Sequence, residues 1–285
     1  MERHTLRTGR TMPALGFGTW QLHDEAAADA VTAALTAGYR LIDTSGSYGN
    51  VAEVGAAVGG SSVAREDIFL VTKVESDEDP VESLRRQLGE MKLDRVDLTL
   101  IHWPPGVMGS AHEAHPADPH DRAGVHLWQG LIRAREQGMT TDIGVSNYNA
   151  ELIDVLVDAT DEVPAVDQVE WSPFGHSMRF REYLRSREIA LQAYSPLAQY
   201  HKLDHPVLQK IAQAHGKTPG QVVLRWDFQL GVVPLPRSGS VEHIKENFGI
   251  FDFELSDEEM GKITGLNEEF SVIADKHGLG GLIYL

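Results

Sequence analysis

The sequence predicts a (β/α)8 barrel, an α/β fold in which eight parallel strands alternate with helices. Three observations lead there. Short β-type runs recur at intervals of roughly 25–40 residues, with a helical pattern between neighbours. Three of these runs end in a polar group at near-equal spacing: Leu41-Ile42 stops at Asp43, IFLVTK stops at Lys73 and DLTLIH stops at His102, intervals of 30 and 29 residues. One strand–helix unit per interval places all three groups on the same rim of a parallel sheet. No GxGxxG turn follows the first run, as an open doubly wound sheet would favour.

Taken in order, residues 1–13 read as a β segment that closes the barrel bottom. Eight strands follow at 14–19, 40–43, 68–73, 97–102, 142–146, 165–170, 189–194 and 231–236. The helical period is clearest at 80–91, where Val81, Leu84, Leu88 and Met91 share a face, and at 122–137, where Val125, Trp128, Leu131 and Ile132 do. Helix ends are signalled too. Thr218-Pro219 with Gln221 reads as N-cap, first-turn proline and capping partner, and Ser256 with Glu259 as a capping box. Gly38 and Gly138 stand where a left-handed C-cap stops a helix. No linker, repeat or change of composition divides the chain, so 1–285 is expected to form a single barrel domain, with 104–124 as an active-site loop and 268–285 as a C-terminal loop.

Composition bounds the function. With 42% hydrophobic residues the chain has the makings of a large core, and no apolar run approaches the roughly 18 residues of a membrane span. MERHTLRTGR lacks the apolar segment of a secretory signal, and the absence of cysteine excludes disulfides and thiol chemistry, so a cytoplasmic protein is expected. A formal net charge of −17 argues against nucleic acid or anionic membrane as a partner. A small molecule is the expected ligand.

The stretch YRLIDTSGSYGN adds a phenol, Tyr48, in a Ser/Gly loop just past Asp43. Each of these groups alone has a structural explanation, such as a helix cap or surface packing. Together they form a chemical set. A tyrosine hydroxyl titrates near 10, and an adjacent ammonium can lower that by roughly 1–3 units. Lys73 would supply the cation, Asp43 would hold it charged and in place, and His102 would point an N–H at a carbonyl oxygen. Such a set suits protonation of an oxyanion formed as hydride arrives.

On these residues the sequence resembles the aldo-keto reductase family. GFGTW (16–20), GYRLIDTSGSYGN (38–50), VTK (71–73), DLTLIHWP (97–104), IGVSNYN (143–149), DQVEWSPF (167–174), AYSPLA (193–198), TPGQVVLRW (218–226) and IKENF (244–248) are similar to family blocks, in the family's order. The resemblance implies NAD(P)H-dependent reduction of aldehydes or ketones. It makes Asp43, Tyr48, Lys73 and His102 catalytic, with Tyr48 as general acid/base. It implies cofactor contacts at Thr19, Trp20 and Asp43. Ser146, Asn147 and Gln168 would meet the nicotinamide carboxamide, with Tyr194 stacked on the ring. Ser195 and Leu197 would lie along the pyrophosphate, and Glu246 and Asn247 at the adenine. Trp20 and Trp103 would wall the substrate pocket beside Tyr48 and His102. The family is more often monomeric.

Departures from the family pattern bear on cofactor choice. Where it usually has Pro-Lys-Ser and a later Arg, this chain has Pro236-Arg237-Ser238 and His243. Arg237 keeps a permanent charge with a different donor geometry, whereas a histidine is mostly neutral above pH 7. The expectation is NADPH binding with NADH also accepted. Ser45 replaces a more usual Ala and is expected to alter local packing only. The long loop after His102 carries His112, His115, His120 and His126, but Pro116 and Pro119 break any helix that would align them. It reads as a mobile, substrate-facing flap without a metal. Two other function classes use such a barrel: a nucleotide-binding sensor subunit with little turnover, and a metal-dependent hydrolase. The four catalytic residue types weigh against the first, and a rim carrying Lys and Tyr against the second.

Overall fold

Alternation within a strand decides where each polar group of this chain goes. A computed structural model describes residues 2–107 and 118–273. An antiparallel hairpin, β1 (Arg3–Thr5) and β2 (Thr11–Pro13), precedes eight parallel strands. These are β3 (Phe17–Gly18), β4 (Leu41–Asp43), β5 (Phe69–Val74), β6 (Val96–Ile101), β7 (Thr140–Ser146), β8 (Val166–Glu170), β9 (Ala190–Tyr194) and β10 (Val233–Pro234). Each overlaps one of the eight predicted runs, and each pairs with its sequence neighbour. The seam is closed by the backbone N–H groups of Gly16 and Gly18, which donate to the carbonyls of Pro234 and Pro236 at 3.0 and 3.1 Å. Space is tight there: a Cβ on Gly16 would lie 2.3 Å from a Leu41 methyl and 2.4 Å from a Leu235 methyl, so those side chains would have to move.

Helices α1 (Asp24–Ala37), α2 (Val51–Gly59), α3 (Pro80–Met91), α4 (Pro119–Arg122), α5 (Val125–Glu136) and α6 (Ala150–Thr160) come first along the chain. They are followed by α7 (Met178–Ser186), α8 (Pro206–His215), α9 (Pro219–Gln229), α10 (Val241–Phe248) and α11 (Asp257–Thr264). Local chemistry explains their limits. The Asp79 carboxylate accepts from the backbone of Val81 and Glu82 at 3.0 Å each, and Pro80 occupies the first turn, so α3 starts where predicted. Both predicted capping boxes are present, on α9 and α11. Gly38 adopts φ +114° and ends α1 as expected. The helix expected over 122–137 instead begins at Val125, because Gly124 at φ +64° breaks it from the short α4. Among the described residues no helix is long and apolar enough to cross a membrane.

Two apolar layers result. Outward residues such as Ile42, Leu70, Ile101 and Val145 pack beneath the helices. Inward residues such as Leu41, Val71, Leu100 and Leu235 fill the barrel, joined by Leu6 and Met12 from the hairpin and the segment beside it. The period of two carries that inward parity past the apolar layer to the carboxyl ends. Leu41 leads to Asp43, Val71 to Lys73 and Leu100 to His102, so the barrel's own packing aims the three groups at one rim.

Candidate active site

The centre of the rim is a buried ion pair. Lys73 Nζ donates to both oxygens of Asp43, at 2.7 and 2.8 Å, and to the carbonyl of Thr44 at 3.0 Å. Lys73 is 1% and Asp43 4% exposed. Burial disfavours the ammonium, but Asp43 and then Tyr48 outweigh it and the Lys73 pKa is raised, so the cation persists. Tyr48 sits on a single 3-10 turn (Gly46–Tyr48), with Lys73 Nζ 5.0 Å from its ring centroid. The Tyr48 pKa is raised, opposite to the direction expected from the cation alone. Burial is the largest cause; Lys73 pulls the value down, while Asp43 and Glu75 push it up. The paired carboxylate cancels much of the field that an isolated ammonium would exert. Tyr48 is thereby kept as a phenol, the form in which it can give a proton.

His102 stands edge-on to Tyr48, with ring centroids 5.8 Å apart, and stacks on Trp103 at 5.8 Å. Its Nδ1 meets Glu75 Oε1 at 2.6 Å. Ser45 Oγ and Ser47 Oγ lie 3.4 and 3.5 Å from the same nitrogen, and Ser45 also donates to Glu75 at 3.4 Å. Ser45 therefore does more than alter packing: it joins a polar chain from the Tyr48 turn to the histidine. Glu75 was missed because the sequence argument stopped at the last residue of the VTK motif. The inward parity of 71 and 73 continues to 75, and that was the available signal.

A cavity of about 460 Å³ opens over this centre. Asp43, Tyr48 and His102 are on its wall, together with Trp20 and Trp103. Ser146, Asn147, Gln168 and Tyr194 line one side, coupled by hydrogen bonds. Ser146 donates to the Gln168 carbonyl at 2.7 Å, and Asn147 Nδ2 donates to Ser146 Oγ at 3.0 Å and to the His102 carbonyl at 3.1 Å. The Tyr194 hydroxyl donates to Asn147 Oδ1 at 2.7 Å, which fixes the ring's tilt. Gln168 Nε2 donates to Asp43 Oδ2 and Gln192 Oε1, each at 2.9 Å. Both its amide hydrogens are thus committed, and its carbonyl oxygen is the group left to meet a ligand.

Ser195, Leu197 and Arg237 also line the cavity. The loop between them is wound unusually: Ser195, Ala198, Gln199 and Tyr200 all have φ between 46° and 68°, a region costly for residues with a Cβ. Arg237 donates to Gln21 at 2.8 Å. Burial raises the Tyr200 pKa, with smaller effects from Arg237, Glu246 and Asn247. Thr19, Ser238, His243, Glu246 and Asn247 do not reach the cavity wall. The Thr19 hydroxyl is spent on the Asp43 carbonyl at 2.9 Å, and Ser238 Oγ accepts from Ser240 at the start of α10. His243 is exposed on that helix. Of the predicted flap at 104–124, residues 108–117 with His112 and His115 lie outside the described residues, as does 274–285 of the predicted C-terminal loop.

Comparison with known proteins fits this geometry. The family model "Aldo/keto reductase family" matches residues 14–268. An aldo-keto reductase of Mycobacterium tuberculosis (strain H37Rv) is 41% identical over 275 residues, covering 95% of this chain and 93% of that protein. Among solved structures, an aldo/keto reductase from Brucella melitensis superposes with a TM-score of 0.83 at 36% identity, over 93% of this chain and 99% of that one. An aldo-keto reductase of Bombyx mori, solved in complex with NADP, gives 0.86 at 30% identity over 97% and 96%. Sequence blocks, barrel and rim agree with these matches: the chain belongs to the aldo-keto reductase family and is an oxidoreductase acting on carbonyl compounds with NAD(P)H.

Proposed function

We propose that this protein reduces an aldehyde or ketone to the alcohol, using NADPH by preference, with Tyr48 as proton donor and Lys73, Asp43 and His102 assisting. One observation carries the reading. A phenol, a carboxylate and an imidazole from separate parts of the chain line one cavity, and a buried ammonium, hydrogen-bonded to the carboxylate, lies 5.0 Å from the phenol ring centroid.

The donor set fits a dinucleotide. The cavity wall carries an aromatic ring fixed by Asn147 and an arginine, Arg237, beside Asp43, Tyr48 and His102, the kinds of surface that a nicotinamide and a phosphate-bearing ribose require. Ser146, Asn147 and Gln168 would hold the carboxamide, and Tyr194 would cover one ring face. Ser195 and Leu197 would follow the pyrophosphate. Arg237, Ser238 and His243 would surround the 2′-phosphate, and Glu246 and Asn247 the adenine. When bound, the cofactor supplies the hydride. The chain's own work is at the oxygen: Tyr48 donates the proton, Lys73 steadies the phenolate left behind, and Asp43 holds Lys73 charged. Trp20 and Trp103 would exclude water from the carbonyl.

Arg237 lines the cavity while His243 lies exposed on α10 off its wall, so the grip on a 2′-phosphate rests on Arg237 and NADH is accepted as well. The Bombyx relative solved with NADP supports the NADPH preference.

The test is cofactor oxidation at 340 nm with a panel of aldehydes and ketones, beside Tyr48→Phe. Turnover lost with cofactor binding intact is expected. Turnover that survives means the proton comes from elsewhere, and tight cofactor binding without turnover by the native protein would favour a sensor. Comparing kcat/KM for the two cofactors tests the second point; an NADPH preference of about a thousandfold, roughly 4 kcal/mol, would refute dual use.

A further inference from the structure

The rim holds a second carboxylate that the reductase reading does not use. Glu75 is two residues beyond Lys73 on the same inward-facing side, and its carboxylate meets His102 Nδ1 at 2.6 Å. Its side chain is 28% and that of His102 13% exposed, so the contact is largely shielded from water. A carboxylate here accepts, so the shared hydrogen belongs to Nδ1. Burial alone would raise the Glu75 pKa. His102, Ser47 and Lys73 together outweigh it and the value is lowered, which keeps the group an anion and an acceptor.

The consequence lies at the other nitrogen. With Nδ1–H given to Glu75, a neutral ring has a bare lone pair at Nε2 and nothing to donate to a carbonyl oxygen. Donation from Nε2 requires a second proton on the ring, and the resulting imidazolium is charge-balanced by the carboxylate beside it. We propose that Glu75 is the positioning residue of this site, fixing His102 with Nδ1–H toward itself and making a charged imidazolium the species that donates from Nε2 to the substrate oxygen. The inference rests on the reductase reading of the cavity.

No other described group takes that role from Glu75. From the Tyr48 turn, Ser45 and Ser47 touch Nδ1 only at 3.4 and 3.5 Å, and Tyr48 meets the ring by its edge. From β5, Lys73 is committed to Asp43 and Thr44. From the β7 side, Asn147 binds the backbone carbonyl of His102 and not its ring. Trp103 stacks without a charge.

Two measurements test the proposal. Nitrogen-15 imidazole spectra of the ligand-free native protein, with the His102 signals assigned by their loss in His102→Gln, should show Nδ1 protonated from pH 6 to 9. They should show that preference lost in Glu75→Ala. A proton on Nε2 alone in the native protein overturns the proposal whether or not the chain turns over any carbonyl. The second is the pH profile of kcat for carbonyl reduction in Glu75→Gln, which keeps the shape and removes the charge. A carboxylate in contact with an ionising group is worth about 1–3 pH units. The alkaline limb of kcat should therefore move at least one unit to lower pH, a loss of about tenfold or more at a fixed pH on that limb, with NADPH affinity unchanged. A uniform drop at all pH values would mark a merely structural role and overturn the proposal, as would an unmoved profile. Absence of carbonyl turnover in the native protein would instead count against the reductase reading, leaving the spectra to decide on Glu75.

Discussion

Replacing Lys73 by methionine isolates what the buried pair contributes. In the native protein, Asp43 receives two hydrogen bonds from Lys73, at 2.7 and 2.8 Å, and one from Gln168 at 2.9 Å. Lys73→Met leaves a carboxylate only 4% exposed with the Gln168 amide as its one remaining side-chain donor. Breaking a buried pair on one side costs about 3–5 kcal/mol, because the surviving charge is left without its counter-ion. At roughly 2–4 °C per kcal/mol for a chain of this size, the melting temperature should fall by about 6–20 °C. The pH is chosen by sign. Lys73 has a folded-state pKa raised above its unfolded value. Its stabilisation is complete below the unfolded value and fades only as pH climbs through the folded one, above about pH 10. Urea and thermal unfolding at pH 7 therefore read the full contribution. The decisive arm is Lys73→Met combined with Asp43→Leu. With both charges gone, neither is stranded, and the double variant should recover at least about 2 kcal/mol relative to the sum of the singles. Additivity within about 0.5 kcal/mol would refute the view that the two act as one buried unit.

Two further predictions concern the frame. Asp227 on α9 is fully buried, neither carboxylate oxygen has a hydrogen-bond partner among the described residues, and burial drives its pKa well above the ordinary value. An acid held protonated by folding loses stability as pH rises from its unfolded value toward the folded one, by about 1.4 kcal/mol per unit. Asp227→Asn should therefore gain on the native protein as pH rises above the ordinary carboxylate range; a difference in unfolding free energy that stays constant with pH would contradict this. On α2, a Cβ at Gly55 would lie 2.4 Å from the Met91 backbone, whereas one at Gly59 meets nothing within 4 Å. Gly55→Ala should cost about 1–3 kcal/mol and Gly59→Ala gain about 0.5–1 kcal/mol in denaturant titrations. Equal effects would show that helix propensity, not the approach of α2 to α3, governs both sites.

What could be read from the sequence and what could not divides along a physical line. Strand parity and spacing are properties of the chain itself. Leu41 and Asp43, Val71 and Lys73, Leu100 and His102 were legible as a rim because a period of two and one strand–helix unit per interval leave little freedom. Capping of α9 and α11 was legible for the same reason, since each involves side chains within a few residues. The direction of the Tyr48 shift was not. It is a balance of burial, Lys73, Asp43 and Glu75, and only the fold fixes those distances. A cation read beside a phenol suggests acidification; the same cation neutralised by a carboxylate at 2.7 Å does not deliver it. Ser45 makes the point again, as a hydroxyl whose partners, Glu75 and His102, are 30 and 57 residues away. Glu75 lies between the two cases. Its inward parity follows from Val71 and Lys73, so its place on the rim could have been deduced. Its contact with His102 required the pairing of β5 with β6, which sets Lys73 opposite Leu100 and brings the residues just past them together. A motif search ends at the last residue it knows, whereas parity and register run on. In a barrel the inward positions immediately beyond a recognised strand-end group are therefore where an unrecorded participant in the chemistry should first be sought.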